Sequence, residues 1–284
     1  MRTRSRETQS GSLSAVTVVE VGQGRRLLGL EDLWEYRELL YFLTWRDLKV
    51  RYKQTAFGLA WAILQPLLLM LVFSVSIGRI AGLAPDGMAY PLFALSGLVP
   101  WTLFSQGVSG ASDSLVGGES IITKVYFPRL IVPLAVVGSF LPDFVVGLLL
   151  LLIVLGVGGV TPSVTLLALP LAALALIVTT VGVGSFLAAL NVRYRDVRYA
   201  VPFLLQLWLF GSPIVYASSV IGPSFRVVYA INPLAGPIEL FRWSLLGGTP
   251  PSPSIAVSTA VSLAVLVVAL SYFRRVERTL ADVI

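Results

Sequence analysis

The sequence predicts an all-α integral membrane protein. It has six transmembrane helices, an amino-terminal amphipathic interfacial helix, and re-entrant helices between spans five and six. Three observations predict this. Mean hydropathy is +0.84, and only 13% of the 284 residues are charged, against ~25% in a soluble domain. Uncharged apolar runs of membrane length recur along the chain, the first over residues 56–77. The basic residues gather at alternate connections, the charge asymmetry of a polytopic protein.

Residues 1–29 are polar and hold no apolar stretch long enough for a signal peptide, so a disordered cytoplasmic tail is expected. Residues 30–55 predict the interfacial helix, with Leu33, Trp34, Leu40, Tyr41, Trp45 and Leu48 recurring at helical spacing on one face. Glu31, Asp32, Glu35 and Glu38 precede Arg46, Lys49, Arg51 and Lys53. That order suits the helix dipole and sets bases against an anionic membrane surface.

The transmembrane domain is expected over 56–272. Span one covers 56–77, with Pro66 expected to bend it. Span two (91–108) is rich in Gly, Ser and aromatics, and a polar connection is expected from 109 to 129. Span three (130–155) carries Pro133, Pro142 and an acid, Asp143; span four is 164–190. After the charged turn 191–199 come span five (200–216), a mixed segment, span six (255–272) and a cytoplasmic tail, 273–284. Within the mixed segment, two apolar pieces interrupted by Asn232-Pro233 and Gly236-Pro237 are too short to cross. Such pieces predict re-entrant helices, whose backbone must be buried in protein or line a cavity. The arginines and lysines of both ends and of the connections after spans two and four put both termini in the cytoplasm, in the cytoplasmic (inner) membrane.

Composition also excludes chemistry. There is no cysteine and no histidine, so disulfides, thiol nucleophiles, Cys-ligated metals and the commonest general base are absent. This counts against a membrane glycosyltransferase, and no catalytic or metal residue is assigned. The net charge of +6 records topology and does not call for nucleic acid. Asp143 within a span costs about 2.5–3.5 kcal/mol on insertion scales, so it faces protein or water. A proton-coupled carrier centred on Asp143 is therefore one alternative reading. The aromatics Trp61, Trp101, Phe104, Phe203, Trp208, Phe210 and Tyr216 suit a channel for sugars, whose rings have an apolar face. Interface anchoring and helix packing explain such aromatics equally well. Glu239 and Arg242 share a helical face and are expected at an outer gate, with a surface ion pair as the plain alternative.

Six stretches, RYKQTAFGLAWAILQPLL, KVYFPRLIVPLA, LPDF, NVRYRDV, SPIVY and INPLAGPIELFR, occur in that order from residue 51 to 242. Together they resemble the membrane subunit of ABC-2 type exporters, in particular those that export lipid-linked polysaccharide such as O-antigen, teichoic acid, capsule or galactan. The resemblance implies a homodimer joined to two copies of a separate ABC ATPase, with ATP and Mg on that partner and no cofactor on this chain. The sequence holds no G-x-x-x-x-G-K-[ST] phosphate loop, so this chain is expected to be a transport subunit and not an enzyme. The resemblance further implies a coupling helix seated in the ATPase, carrying Glu119, Ser120, Lys124, Tyr126, Phe127, Pro128 and Arg129. Arg193, Arg195 and Asp196 in the second cytoplasmic turn are expected to meet the same partner. Ser212, Pro213, Asn232 and Pro233 join Glu239 and Arg242 in the expected gate. An exporter of small hydrophobic molecules or drugs with similar architecture is the other alternative.

Overall fold

Long apolar runs leave a chain in lipid only one economical solution for its backbone polar groups, the helix. The structure, a computed structural model, describes residues 30–53, 58, 60–80, 88–118, 127–161, 163–218, 222, 226–248, 250 and 252–283, and no strand occurs among them. The helices are α1 (Leu30–Glu35), α2 (Arg37–Lys53), α3 (Ala60–Phe73, continued by a π-helical stretch Ser74–Ile80), and α4 (Tyr90–Gly117). They continue with α5 (Ile131–Ser139), α6 (Leu141–Val157), α7 (Leu169–Arg193, preceded by a 3₁₀ turn Val164–Ala168) and α8 (Val197–Phe210). The last are α9 (Arg226–Ile231), α10 (Ala235–Leu246) and α11 (Ser254–Val283).

Four stretches are long and apolar enough to cross a membrane: Ala60–Ile80, Ile131–Val157, Val164–Arg193 and Ser254–Glu277. The expected second and fifth spans are α4 and α8. α4 is long enough, about 42 Å at 1.5 Å per residue, but it carries many polar residues. α8 is apolar but about 21 Å long, short of the ~30 Å hydrocarbon core.

α4 and α7 form the centre. They approach closely because small residues face each other: a Cβ on Gly107 would stand 2.6 Å from Thr180 Cγ2, and one on Gly184 2.9 Å from Ala111 Cβ. α11 packs on the far side of α7, and α3, α5, α6, α8 and α10 surround α4. The main apolar core runs through Leu95, Leu98, Phe104, Leu151, Leu176, Ile214 and Ile238. A second, smaller cluster joins Leu43, Leu115, Phe127, Ile131 and Phe273 from α2, α4, α5 and α11.

Several boundaries differ from expectation. α4 does not end at residue 108 but runs to Gly117, and its hydroxyls are satisfied within the helix, Ser112 donating to Ser109 O and Ser114 to Ala111 O (2.7 Å each). Span three is two helices with a corner at Phe140; Pro142 sits in the first turn of α6, where its missing N–H costs nothing. Pro66 lies within α3 without ending it. Span five starts at Val197 and stops at Phe210, where Gly211-Ser212-Pro213 ends the ladder. The helix expected to finish near residue 272 continues as α11 through the basic tail. The residues placed on one face of the interfacial helix divide between two. Leu33 and Leu40 pack on the smaller cluster around Leu43, while Trp34, Tyr41 and Trp45 are 72, 63 and 45% exposed. Residues 1–29 and the join at 54–57 lie outside the described residues.

Candidate functional site

The expected ATPase-facing segment is described only at its end; Glu119, Ser120, Lys124 and Tyr126 lie outside the described residues. Phe127 is buried in the smaller cluster. Pro128 offers its carbonyl to the Ile131 N–H at 3.0 Å. The Arg129 backbone N–H donates to Glu277 Oε1 at 2.8 Å. The segment's end is thus tied to α2 through Leu43 and to the far end of α11 through Glu277.

The second turn presents Arg193, Arg195 and Asp196 on the surface between α7 and α8. The Arg193 guanidinium lies 5.4 Å from the Tyr194 ring. The Asp196 carbonyl starts α8 by accepting from Tyr199 N and Ala200 N. Arg198 pairs with Asp113 of α4 at 3.2 Å, and Asn191 Nδ2 donates to Asp113 Oδ1 and to Ser112 O. Asp113 is a junction that the sequence did not mark; a lone acid in a polar stretch carries no signal of its partners.

At the other polar junction, Arg51 near the end of α2 reaches Asp143. Its Nη1 donates to Asp143 Oδ2 at 2.5 Å, and its Nη2 donates to Ser139 O and Ser139 Oγ at 2.5 and 2.7 Å. The Tyr52 hydroxyl donates to Asp143 Oδ1, and the guanidinium stacks 3.8 Å over the Phe140 ring. Asp143 lies mid-way along an apolar run yet in the first turn of α6, where the helix dipole favours an anion. It is engaged by a cation and a phenol, not held free in an apolar site.

Of the aromatics expected along a channel, Trp101, Phe104 and Trp208 come together in the core. Trp101 and Phe104 are buried and stacked at 5.7 Å, and Phe104 meets Trp208 edge-on at 5.2 Å. Trp61, Phe203 and Phe210 are 47, 61 and 54% exposed on α3 and α8. The Tyr216 hydroxyl donates to Phe210 O at 2.8 Å and so fixes the turn after α8.

Of the residues expected at a gate, Ser212 and Asn232 are brought together. Asn232 Nδ2 donates to Ser212 Oγ and Gly211 O at 2.8 and 3.0 Å, and its Oδ1 accepts from Trp208 Nε1 and Leu234 N. Ser258 and Ser262 of α11 donate to the carbonyls of Asn232 and Pro233. Ser212 and Pro213 are buried. Glu239 accepts from the Tyr229 hydroxyl at 3.3 Å. Arg242 turns instead to Ser96 Oγ (3.1 Å), Ile214 O (3.0 Å) and the Phe93 ring, 3.9 Å from its centroid. No Glu239–Arg242 ion pair within 4.0 Å occurs among the described residues.

Among the described residues no group of acids is placed to hold a metal ion. The geometry is that of a helical body with polar joints. Its relatives agree with that description. The chain is 31% identical over 256 residues to the O-antigen export system permease protein RfbA of Myxococcus xanthus, covering 89% of this chain and 98% of the relative. It is 29% identical over 248 residues to the protein of the same name from Klebsiella pneumoniae, covering 87% and 95%. It is 24% identical over 206 residues to the polysialic acid transport protein KpsM of Escherichia coli, covering 72% and 79%. The family model for ABC-2 type transporters matches residues 38–246, from α2 to the end of α10. The chain is therefore a member of the ABC-2 type transporter family.

Proposed function

We propose that this chain is the channel subunit of an ATP-driven exporter that moves a lipid-linked polysaccharide across the cytoplasmic (inner) membrane. The observation that carries this is the similarity to O-antigen export permeases along nearly their whole length, 95 and 98% of two of them. Two copies form the passage, six spans place both termini in the cytoplasm, and two copies of a separate ABC ATPase bind the cytoplasmic face. ATP and Mg belong to that partner. The coupling segment from Glu119 to Arg129 and the turn Arg193–Asp196 meet the ATPase. Motion there passes through Phe127 to α2, which the smaller cluster joins, and through the Arg129–Glu277 bond to α11. The exposed aromatics Trp61, Phe203 and Phe210 face the second copy or the passage, and the joint at Ser212, Asn232 and Arg242 forms the outer gate.

The test is purification from native membranes in mild detergent, with mass spectrometry of what accompanies the chain. A nucleotide-binding protein with a phosphate loop in about equal amount is expected. Recovery of the chain alone, under conditions that keep other membrane complexes whole, contradicts the reading.

A further inference from the structure

Helices kink at Pro and weaken at Gly. Of the four stretches long and apolar enough to cross a membrane, three carry such residues: Pro66 in the first, Pro133 and Pro142 in the second, Gly182 and Gly184 in the third. The fourth, Ser254–Glu277 of α11, carries neither. Ser258, Ser262, Ala269 and Phe273, at most 1% exposed, recur at helical spacing and set one face of α11 against the bundle. Leu263, Val267 and Val268 are exposed.

This unbroken helix is tied to other backbone at both ends. At the first, Ser258 Oγ accepts from Gly236 N at 2.7 Å and donates to Asn232 O at 2.5 Å. One turn on, Ser262 donates to Pro233 O. The fit has no slack, because a Cβ on Gly236 would stand 2.9 Å from Ile255 O and from Ser258 Cβ. The break between α9 and α10 is therefore seated on α11. At the second end, Glu277 Oε1 accepts the Arg129 N–H at 2.8 Å, and Phe273 packs in the smaller cluster with Phe127, Leu43 and Leu115. Ser258 and Glu277 stand about 28 Å apart along the axis at 1.5 Å per residue, close to the ~30 Å of a hydrocarbon core.

We infer that α11 is a connecting rod, in which Glu277, Ser258 and Ser262 are positioning residues that make the Asn232-Pro233 break answer to displacement of the Phe127–Arg129 segment. The inference rests on the export reading above, in which that segment follows the ATPase and the break belongs to the outer gate. The bonds at both ends go to backbone groups of the partner segment, so a shift is not absorbed by a partner side chain changing rotamer. An uninterrupted helix keeps its length because each interior residue holds its own backbone hydrogen bond. Asn232, Pro233 and Leu234 lie outside any helix, so a shift of α11 is taken up there. Between the ends α11 passes α7 at Gly182, where a Cβ would stand 3.1 Å from Leu266 N and Cα. Only backbone faces α11 at that crossing, and no interlocking side chain of residue 182 holds it in register.

The chain contains no cysteine, so a single one reports cleanly. Ala235→Cys, at a site 2% exposed just past the break, reports opening of the break by its rate of reaction with a water-soluble maleimide in the purified chain. Glu277→Ala is expected to raise that rate at least about fivefold from the other end of α11. Glu277→Gln keeps an acceptor for the Arg129 N–H and is expected to restore the parent rate. Arg198→Ala, at a polar joint that does not involve α11, is expected to leave the rate unchanged. Val267→Gly with Val268→Gly alters only exposed positions and softens α11 while both ends keep their bonds. In that background Glu277→Ala is expected to have no effect. Silence of Glu277→Ala in the parent, or an effect that survives the two glycines undiminished, overturns the rod. The same chains are measured with the accompanying ATPase, with and without a non-hydrolysable ATP analogue, which keeps the test open if Glu277→Ala does not fold. A response to the analogue that the two glycines abolish supports the rod, and one that survives them overturns it. Reaction indifferent to the analogue, while Glu277→Ala still changes it, supports the rod and tells against the export reading.

Discussion

Arg51 and Asp143 stand 92 residues apart in sequence and are joined at 2.5 Å, Nη1 to Oδ2. The contact links the last turn of α2 to the first turn of α6, beside the break at Phe140. Their side chains are 27 and 10% exposed, so the pair is shielded enough for its loss to be felt. Removing one partner of a buried pair strands the other, at a cost of about 3 kcal/mol or more. Arg51→Ala is expected to lower the thermal stability of the purified complex strongly. Asp143→Asn keeps one acceptor oxygen and turns the other into an NH2 donor, so it strands Arg51 only in part and is expected to cost less, about 1–2 kcal/mol. Asp143→Asn is also expected to export glycan with an unchanged pH profile; a lost pH dependence would revive the proton-carrier reading.

Asn232 joins four groups by its side chain, on α8, on the turn after it and on the start of α10. Asn232→Ala leaves the Trp208 N–H and the Ser212 hydroxyl short of partners, each costing about 1–3 kcal/mol. Export is expected to fall at least tenfold. Asn232→Asp keeps the acceptor and loses both donors, so an intermediate loss is expected in the same export assay.

At Gly97 a Cβ would stand 2.5 Å from the Ile214 carbonyl and 2.7 Å from Arg242 Nη2. The first of these is backbone, so the segment itself must move. Gly97→Ala is expected to cost about 1–3 kcal/mol, as overpacking does, and to raise proteolysis of the 211–217 turn in membrane vesicles. Arg242→Lys cannot reach Ser96 and Ile214 together with a planar fork, so it is expected to show the same proteolysis.

Arg198 and Asp113 are 53 and 39% exposed as side chains, and Asp113 keeps Asn191 when Arg198 is removed. Arg198→Ala is expected to change stability by less than about 1 kcal/mol. Arg193→Glu with Arg195→Glu is expected to leave stability unchanged while reducing ATPase co-purification several-fold, because these side chains project from the α7–α8 turn.

The helical class, the apolar runs and the break at Asn232-Pro233 were legible because each is local. Pro and Gly end ladders wherever they fall, and hydropathy needs no partner. α9 and α10 accordingly start at Arg226 and Ala235, within one residue of the two apolar pieces the sequence predicts, 227–231 and 234–246. What depends on distant partners was not legible. Asp143 reads as an isolated intramembrane acid until Arg51 is brought to it. Arg242 reads as the partner of Glu239 until Ser96 and Ile214 claim it. The length of α4 was underestimated for a related reason. Its serines and glycines look like a connection, but the serines bond back to their own helix and the glycines admit α7. Trp101 and Phe104 read as sugar contacts and are core residues of the chain, since an aromatic run does not reveal which face of a helix is covered.

The most direct measurement places the chain, with the ATPase that accompanies it, in proteoliposomes supplied with lipid-linked glycan and follows the glycan across the bilayer. ATP-dependent transfer that stops when either subunit is omitted is the predicted result. An ATPase-active complex that moves no glycan, with the lipid-linked chain present in the correct leaflet, would contradict the central claim.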